Sequence, residues 1–266
     1  MTSSLSRPLA AITGASSGIG AVYAEQLAAR GHDLLLIARR GDRLDALASR
    51  LGQAHGVHVQ TQVADLSQPA DLRRVEEHLA TAQALELLVN NAGSAKLAAA
   101  AQTTADEAEA MVALNVTALT RLTLAALPGM RARGRGRIVN ISSVLALHAL
   151  PTSAVYSGTK AYVLLFSRGL QQELAGSGVS LQVVLPSATD TEIWDRAGLP
   201  AHTLPAGTVM QAGDMVRAAL AGLDQGEAVT LPSLHDAARW DTYEAAGGTV
   251  FEAARTDQPA PRYRSA

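Results

Sequence analysis

Cysteine is absent from the 266-residue chain, which excludes disulfides, thiolate nucleophiles and cysteine-ligated zinc or iron–sulfur centres. The absence suits a reducing compartment. Aromatic residues amount to 3 % of the chain and apolar residues to 48 %, so an ample core must be built mostly from Ala, Leu and Val. Lysine is nearly missing: only Lys96 and Lys160 stand among 22 basic residues. No run of 18 apolar residues occurs, and no apolar signal segment precedes the first strand-like stretch after the short polar Met1–Pro8. A cytoplasmic location without a membrane partner is therefore expected. The formal net charge of -2 gives no reason to expect a nucleic-acid partner. Arg131, Arg133, Arg135 and Arg137 alternate with Gly and Ala and read as a solvated turn before a strand.

What is present is an alternation of short apolar runs with longer amphipathic stretches. Strands are expected at Leu9–Thr13, Asp33–Ala38, Val57–Ala64, Glu86–Asn90, Arg137–Ser142, Val179–Leu185 and Ala228–Leu231. Helices are expected at Ala21–Arg30, Arg43–Ala54, Pro69–Ala82, Ala105–Leu127 and Ala154–Ala175. Leu34–Ala38 and Leu87–Val89 are continuous apolar runs, as strands buried on both faces should be. Repeated β-then-α units imply a single-domain, Rossmann-type, doubly wound α/β fold over residues 1–266. Its parallel sheet has about seven strands, with helices on both faces. A substrate lid is expected at about 190–212 and a polar tail at about 256–266.

Between the first strand and first helix lies Thr13-Gly14-Ala15-Ser16-Ser17-Gly18-Ile19-Gly20. Glycines let a backbone turn tightly against a pyrophosphate, and the following helix directs free N–H groups and its positive dipole end at the phosphates. At this place in a doubly wound fold the loop points to a dinucleotide. Arg39 and Arg40 follow at the end of the second strand, where a carboxylate would receive the ribose 2′-hydroxyl of NAD. Arginine there accommodates the 2′-phosphate of NADP instead, so NADP(H) is the expected cofactor.

Tyr156-Ser157-Gly158-Thr159-Lys160 opens a long apolar helix, and residues four apart share a helix face. With five tyrosines and two lysines in the chain, such a pair arises by chance in only about 4 % of sequences of independent residues. A fixed ammonium beside the phenol favours the phenolate and is expected to lower the tyrosine pKa by roughly 1–3 units. That brings it toward the range of efficient acid–base catalysis. Ser143 closes the fifth strand at the carboxyl edge of the sheet, where its hydroxyl can polarise a substrate oxygen. Ser142 should point to the opposite side.

Together with Asn90-Asn91-Ala92-Gly93 and Asn115, these motifs closely resemble the short-chain dehydrogenase/reductase family over roughly Leu9 to Thr191. The resemblance implies a catalytic tetrad of Asn115, Ser143, Tyr156 and Lys160. Tyr156 would donate a proton to the carbonyl oxygen as hydride arrives, and Ser143 would orient that oxygen. Lys160 would bind the nicotinamide ribose, and Asn115 would hold a water in a proton relay. The implied cofactor cradle comprises Gly14, Ser16, Ser17, Gly18, Ile19, Gly20, Arg39, Arg40, Asp65, Leu66, Asn91, Ala92, Gly93, Tyr156, Lys160, Pro186, Thr189 and Thr191. Asp65 would meet the adenine amino group, and it reads equally as a helix cap before Pro69. Three positions depart from the family pattern. Ser187 replaces a glycine after Pro186, Ser17 stands where many NADP-preferring relatives carry a base, and Ala146 replaces a glycine after Ser143.

Val144–Val155 and the stretch with Ile193, Trp194, Leu199 and Pro200 suggest a hydrophobic pocket under a lid. His148 reads as an ordinary loop histidine, and Trp194 as either a lid aromatic or a packing residue. The expected substrate is a small apolar ketone, aldehyde or secondary alcohol, with a 3-oxoacyl thioester as the alternative and no metal. A non-catalytic NADP-sensing protein would be expected to lack the tyrosine or lysine. An epimerase or dehydratase would usually need more chain after Thr191. The Ala-rich helices Ala105–Leu127 and Ala154–Ala175 suit a homodimer or homotetramer.

Overall fold

The computed structural model describes residues 7–197 and 203–263; the predicted pocket residues Leu199 and Pro200 lie outside them. The described chain groups into two units, one through Pro232 and one from Ser233 onward. In the first, the strands are β1 (Leu9–Thr13), β2 (Asp33–Ala38), β3 (Val59–Val63), β4 (Leu85–Asn90), β5 (Gly136–Ile141), β6 (Val179–Val184), β7 (Thr189–Asp190), β8 (Met210–Gln211) and β9 (Val229–Thr230). The helices are α1 (Gly18–Ala29), α2 (Gly41–His55), α3 (Pro69–Thr81), α4 (Ala105–Val112), α5 (Leu119–Ala132), α6 (Ala154–Glu173), α7 (Ile193–Arg196) and α8 (Ala212–Gln225). The second unit carries α9 (Ala238–Ala254), which buries no residue, with Trp240 stacked on Tyr243 at 5.5 Å between ring centroids.

Seven strands form one parallel sheet in the order β3-β2-β1-β4-β5-β6-β9, and β7 pairs with β8 separately. Alternation along each inner strand explains its unbroken apolar run. Leu34 and Leu36 face a core shared with Tyr23, Leu27, Leu44 and Leu51 of α1 and α2 and Met215 and Leu220 of α8. Leu35 and Ile37 face the opposite core, with Leu72 and Val75 of α3, Leu122 and Met130 of α5 and Leu170 of α6. Each fully buried leucine or isoleucine stabilises the fold by about 1.5–3 kcal/mol, so one strand serves two layers at once. The outermost β3 is shorter than expected. Its Gln60, Thr61 and Gln62 lie at the sheet edge, and Gln60 and Thr61 are exposed.

Strand order reverses between β1 and β4, which pair directly, Ile12 against Val89. Such a switch point leaves a crevice at the carboxyl ends of the strands, where ligands bind. Helix α5 continues past Pro128 to Ala132, beyond the expected end at Leu127. Proline's φ is already helical, and the burial of Leu127 and Met130 beside it offsets the roughly 3 kcal/mol that its missing N–H and its ring cost a helix interior. Residues 105–132 are long and apolar enough to cross a membrane by composition. Their inner face is in the sheet core through Leu122, Ala126 and Met130, while Val112 and Leu124 are exposed.

Tyr23 is wholly buried in α1, and its hydroxyl meets no protein partner among the described residues. Burial pushes its pKa upward. An unpaired buried hydroxyl costs about 1–3 kcal/mol. Tyr23→Phe is therefore expected to raise the urea midpoint by the equivalent of roughly 0–2 kcal/mol; a clear loss of stability would reveal a hidden hydrogen bond.

Candidate active site

A cavity of about 390 Å³ opens at the switch point. Every residue expected at the site lines it except Gly20 and Asn115. The glycine loop leaves β1 at Gly14, whose φ of +68° favours glycine and whose added Cβ would lie 2.8 Å from Asn91 Nδ2. Gly20 has a packing task, since a Cβ there would strike the Gly14 carbonyl. Thr13 holds the neighbouring loop: its hydroxyl accepts from the Asn91 and Ala92 amides at 3.0 and 2.9 Å. Asn91 returns a bond from Nδ2 to the Thr13 carbonyl at 2.9 Å. Two strand ends are thereby fixed side by side at the mouth of the cavity.

The arginine pair divides its work. Arg39 is 65 % exposed and 4.0 Å from Asp65. Arg40 folds back onto the glycine loop, donating from Nε and Nη2 to Ser16 Oγ at 3.2 and 3.1 Å and from Nη2 to Ser17 Oγ at 2.6 Å. A cation from the end of β2 thus reaches Ser17, the position where many NADP-preferring relatives carry a base. Asp65 faces the cavity and also makes a local turn, accepting from the Ser67 amide at 3.0 Å and hydroxyl at 2.7 Å. The expected cap before Pro69 is instead this Asx turn; Gln68 is the N-cap of α3 and makes no side-chain cap.

At the other end of the cavity, Ser143 and Tyr156 both stand in the wall, near enough for the Ser143 hydroxyl to favour the phenolate. The Ser143 Oγ also accepts from the Leu145 amide at 3.1 Å. Ser142 points the other way, as expected, donating to the Lys160 carbonyl at 2.8 Å and tying β5 to α6. Lys160 Nζ donates to the Ile141 carbonyl at 2.9 Å and lies 5.7 Å from the Tyr156 ring centroid. The expected lowering of the tyrosine pKa is not what the structure gives. Burial pushes the phenol up to about 12, against a smaller opposing effect of the Ser143 hydroxyl. Burial also brings the Lys160 ammonium down to about 8. Desolvation disfavours both charged forms, so the phenol stays a proton donor through the neutral range.

Asn115 lies behind the cavity wall, on a π-helical turn, Ala113–Ala118, that joins α4 to α5. Such turns often mark functional sites. Its Oδ1 accepts from the Ser94 amide at 2.9 Å, and its Nδ2 donates to the Ser94 carbonyl at 2.9 Å and to Thr159 Oγ1 at 3.1 Å. It therefore fixes the backbone after Gly93 and one face of α6. Sequence reasoning missed Thr13, Ser94 and Thr159 in these supporting roles, because lone hydroxyl residues carry no motif of their own.

The apolar end of the cavity is formed by Leu97, Leu114, Val144, Leu145, Leu150 and Ile193. Trp194 completes it, its indole N–H donating to the Thr189 carbonyl at 2.7 Å. His148 is exposed and does not line the cavity.

A dinucleotide cradle and a hydroxyl pair in one cavity of a doubly wound sheet define an α/β oxidoreductase. The chain belongs to the short chain dehydrogenase family, which it matches over residues 8–199. It is 49 % identical to a short-chain dehydrogenase from Sphingobium yanoikuyae in complex with NADPH, with a TM-score of 0.94 over 97 % of this chain and 100 % of that one. It is 41 % identical to a bulky-bulky ketone specific alcohol dehydrogenase from Comamonas testosteroni, with a TM-score of 0.89 over 97 % and 99 % of the two chains. A very-long-chain 3-oxoacyl-CoA reductase of Danio rerio is 37 % identical over 69 % of this chain and 59 % of its own length. The human 17-beta-hydroxysteroid dehydrogenase type 3 is 35 % identical over 68 % and 59 %. The chain thus spans about three fifths of these two curated relatives.

Proposed function

We propose that the protein interconverts bulky apolar ketones and secondary alcohols with NADP(H). One observation carries this reading: the Ser143–Tyr156 hydroxyl pair stands where the polar cradle meets the apolar pocket, within a single cavity. The cradle fits the cofactor, with a glycine at the +68° turn of Gly14, the N-terminus of α1 behind it and two arginines at the ribose end. NADP(H), when bound, supplies or accepts the hydride.

The chain's own residues do the rest. Ser143 and Tyr156 would take the substrate oxygen between two hydroxyls, which orients the carbonyl and stabilises the negative charge developing on it. Tyr156, protonated at neutral pH, would pass its proton to that oxygen. Lys160 sits beside Gly93 and the Tyr156 ring, placed to donate to ribose hydroxyls. Leu145, Leu150 and Trp194 would exclude water from the reacting carbonyl.

The test is NADPH consumption against ketones bulky on both sides, small methyl ketones and a 3-oxoacyl thioester, with NADH in parallel. The expected result is highest kcat/KM for the bulky ketones with NADPH. Preference for the thioester would favour the second reading, which the 3-oxoacyl-CoA reductase relatives support. Turnover of none of them despite tight NADPH binding would overturn the substrate assignment.

A further inference from the structure

Arg40 has a third set of bonds besides those to Ser16 and Ser17. Its Nη1 donates to Glu192 Oε2 at 2.9 Å, while Arg43, three residues along at the start of α2, donates to Glu192 Oε1 at 2.6 Å. Glu192 belongs to neither β2 nor α2. It follows Thr191 and precedes α7, on the stretch that brings Ile193 and Trp194 to the substrate pocket. One carboxylate therefore links the adenosine end of the cavity to its substrate end. Arg43 first, and Arg40 second, hold the Glu192 pKa down to about 2, so the carboxylate is charged at any working pH.

We propose that Glu192 is a specificity-determining residue that competes with the 2′-phosphate of NADP(H) for Arg40, and that the phosphate's arrival is transmitted through Glu192 to Trp194. The proposal rests on the NADP(H) reading above. A guanidinium offers five donors in a planar fork. Here Nε and Nη2 are on serine hydroxyls and Nη1 is on the carboxylate. A phosphate seating on this fork meets an anion already there, and like charges a few ångströms apart disfavour each other. The side chains of Arg40 and Glu192 are 29 % and 41 % exposed, and ion pairs this open contribute little. Arginine–phosphate contacts are charge-assisted and often bidentate, so the phosphate displaces the carboxylate. NAD(H) carries a hydroxyl at that position and leaves the pair intact. Glu192 thus weakens the very cofactor the arginines select. In return it makes the substrate wall sensitive to which dinucleotide is bound.

Two measurements test this. NADPH and NADH are titrated by fluorescence into the wild-type protein and Glu192→Gln, at low salt. The variant is expected to bind NADPH about three- to tenfold more tightly and NADH within twofold of wild type, which also shows that it is folded. A wild type that prefers NADPH, with an unchanged NADPH-to-NADH ratio in Glu192→Gln, overturns the inference alone. Weaker NADPH binding in the variant does the same, because Glu192 would then be orienting Arg40 for the phosphate. A wild type that binds both cofactors equally sinks the NADP(H) reading and the inference with it. For the second measurement, Trp240→Phe leaves Trp194 as the one tryptophan of the two in the chain. Adding 2′-AMP, which brings the phosphate but no nicotinamide, is expected to shift its emission, whereas 5′-AMP is not. Equal responses, or none, overturn the link to Trp194.

Discussion

Tyr156→Phe is expected to lower kcat for ketone reduction about a thousandfold, within the range attributed to general acid catalysis, while NADPH affinity stays within about threefold. Phenylalanine keeps the ring that Lys160 approaches at 5.7 Å and removes only the hydroxyl that faces the cavity beside Ser143. The lost group would act on the substrate oxygen in the transition state, so kcat and kcat/KM should fall together with KM little changed. Ser143→Ala should fall less, because it removes a hydrogen bond to the oxygen and leaves the proton donor in place. The pH profile carries a further sign. With the phenol held up to about 12 and the Lys160 ammonium down to about 8, both stay protonated from pH 6 to roughly 7.5. Reduction should be flat there and decline above about 8 as Lys160 loses its charge. Stopped-flow oxidation of NADPH under single-turnover conditions reads the chemical step directly. A Tyr156→Phe protein that retains a tenth of wild-type activity would remove the phenol from its assigned role.

Local spacing and burial leave different traces in a sequence. The β2 run was legible because Leu34, Leu36 and Leu35, Ile37 serve opposite cores, so both alternating sets must be apolar. The loop from Gly14 to Gly20, the Ser143 position and the Tyr156–Lys160 pair were legible because local spacing determines what they can reach. The ends of β3 were not, since the buried apolar Val57 and Ala64 carry the run past the residues that pair with β2. Strands β7 and β8 pair over two residues each, too few to show any period, and α8, absent from the expected helices, completes one core through Met215 and Leu220. The π-helical turn at Asn115 leaves no pattern, because its cause is side-chain bonding to Ser94 and Thr159 from elsewhere in the fold. Glu192 and Arg40 are 152 residues apart, and no local pattern pairs them. The tyrosine pKa departs from its expected direction for a different reason. Charge proximity can be read from an i,i+4 spacing, but burial, the larger effect here, cannot.

That same burial makes Lys160 the residue where activity and stability should part most sharply. Lys160 is 6 % exposed and is brought from 10.5 down to about 8 by burial. Below pH 8 the folded and unfolded chains both hold the proton, and the folded state bears the whole cost of enclosing the charge. Between about 8 and 10.5 only the unfolded state still binds it, so stability rises with pH across that window and the penalty fades. A shift of this size corresponds to about 3 kcal/mol. Part of that is returned by the bond to the Ile141 carbonyl, which methionine cannot make and which is worth roughly 1 kcal/mol. Lys160→Met should therefore raise the urea midpoint at pH 7 by the equivalent of about 1–3 kcal/mol. The gain should shrink toward zero by about pH 10.5 as the wild-type chain catches up. Activity should fall at least a hundredfold, because no ammonium remains to hold the cofactor ribose or to face the tyrosine ring. Urea unfolding of both proteins at pH 7 and pH 10, read beside NADPH turnover, separates the two effects. A variant less stable than wild type at pH 7 would mean that the lysine is held by more than one carbonyl and that its burial costs the fold little.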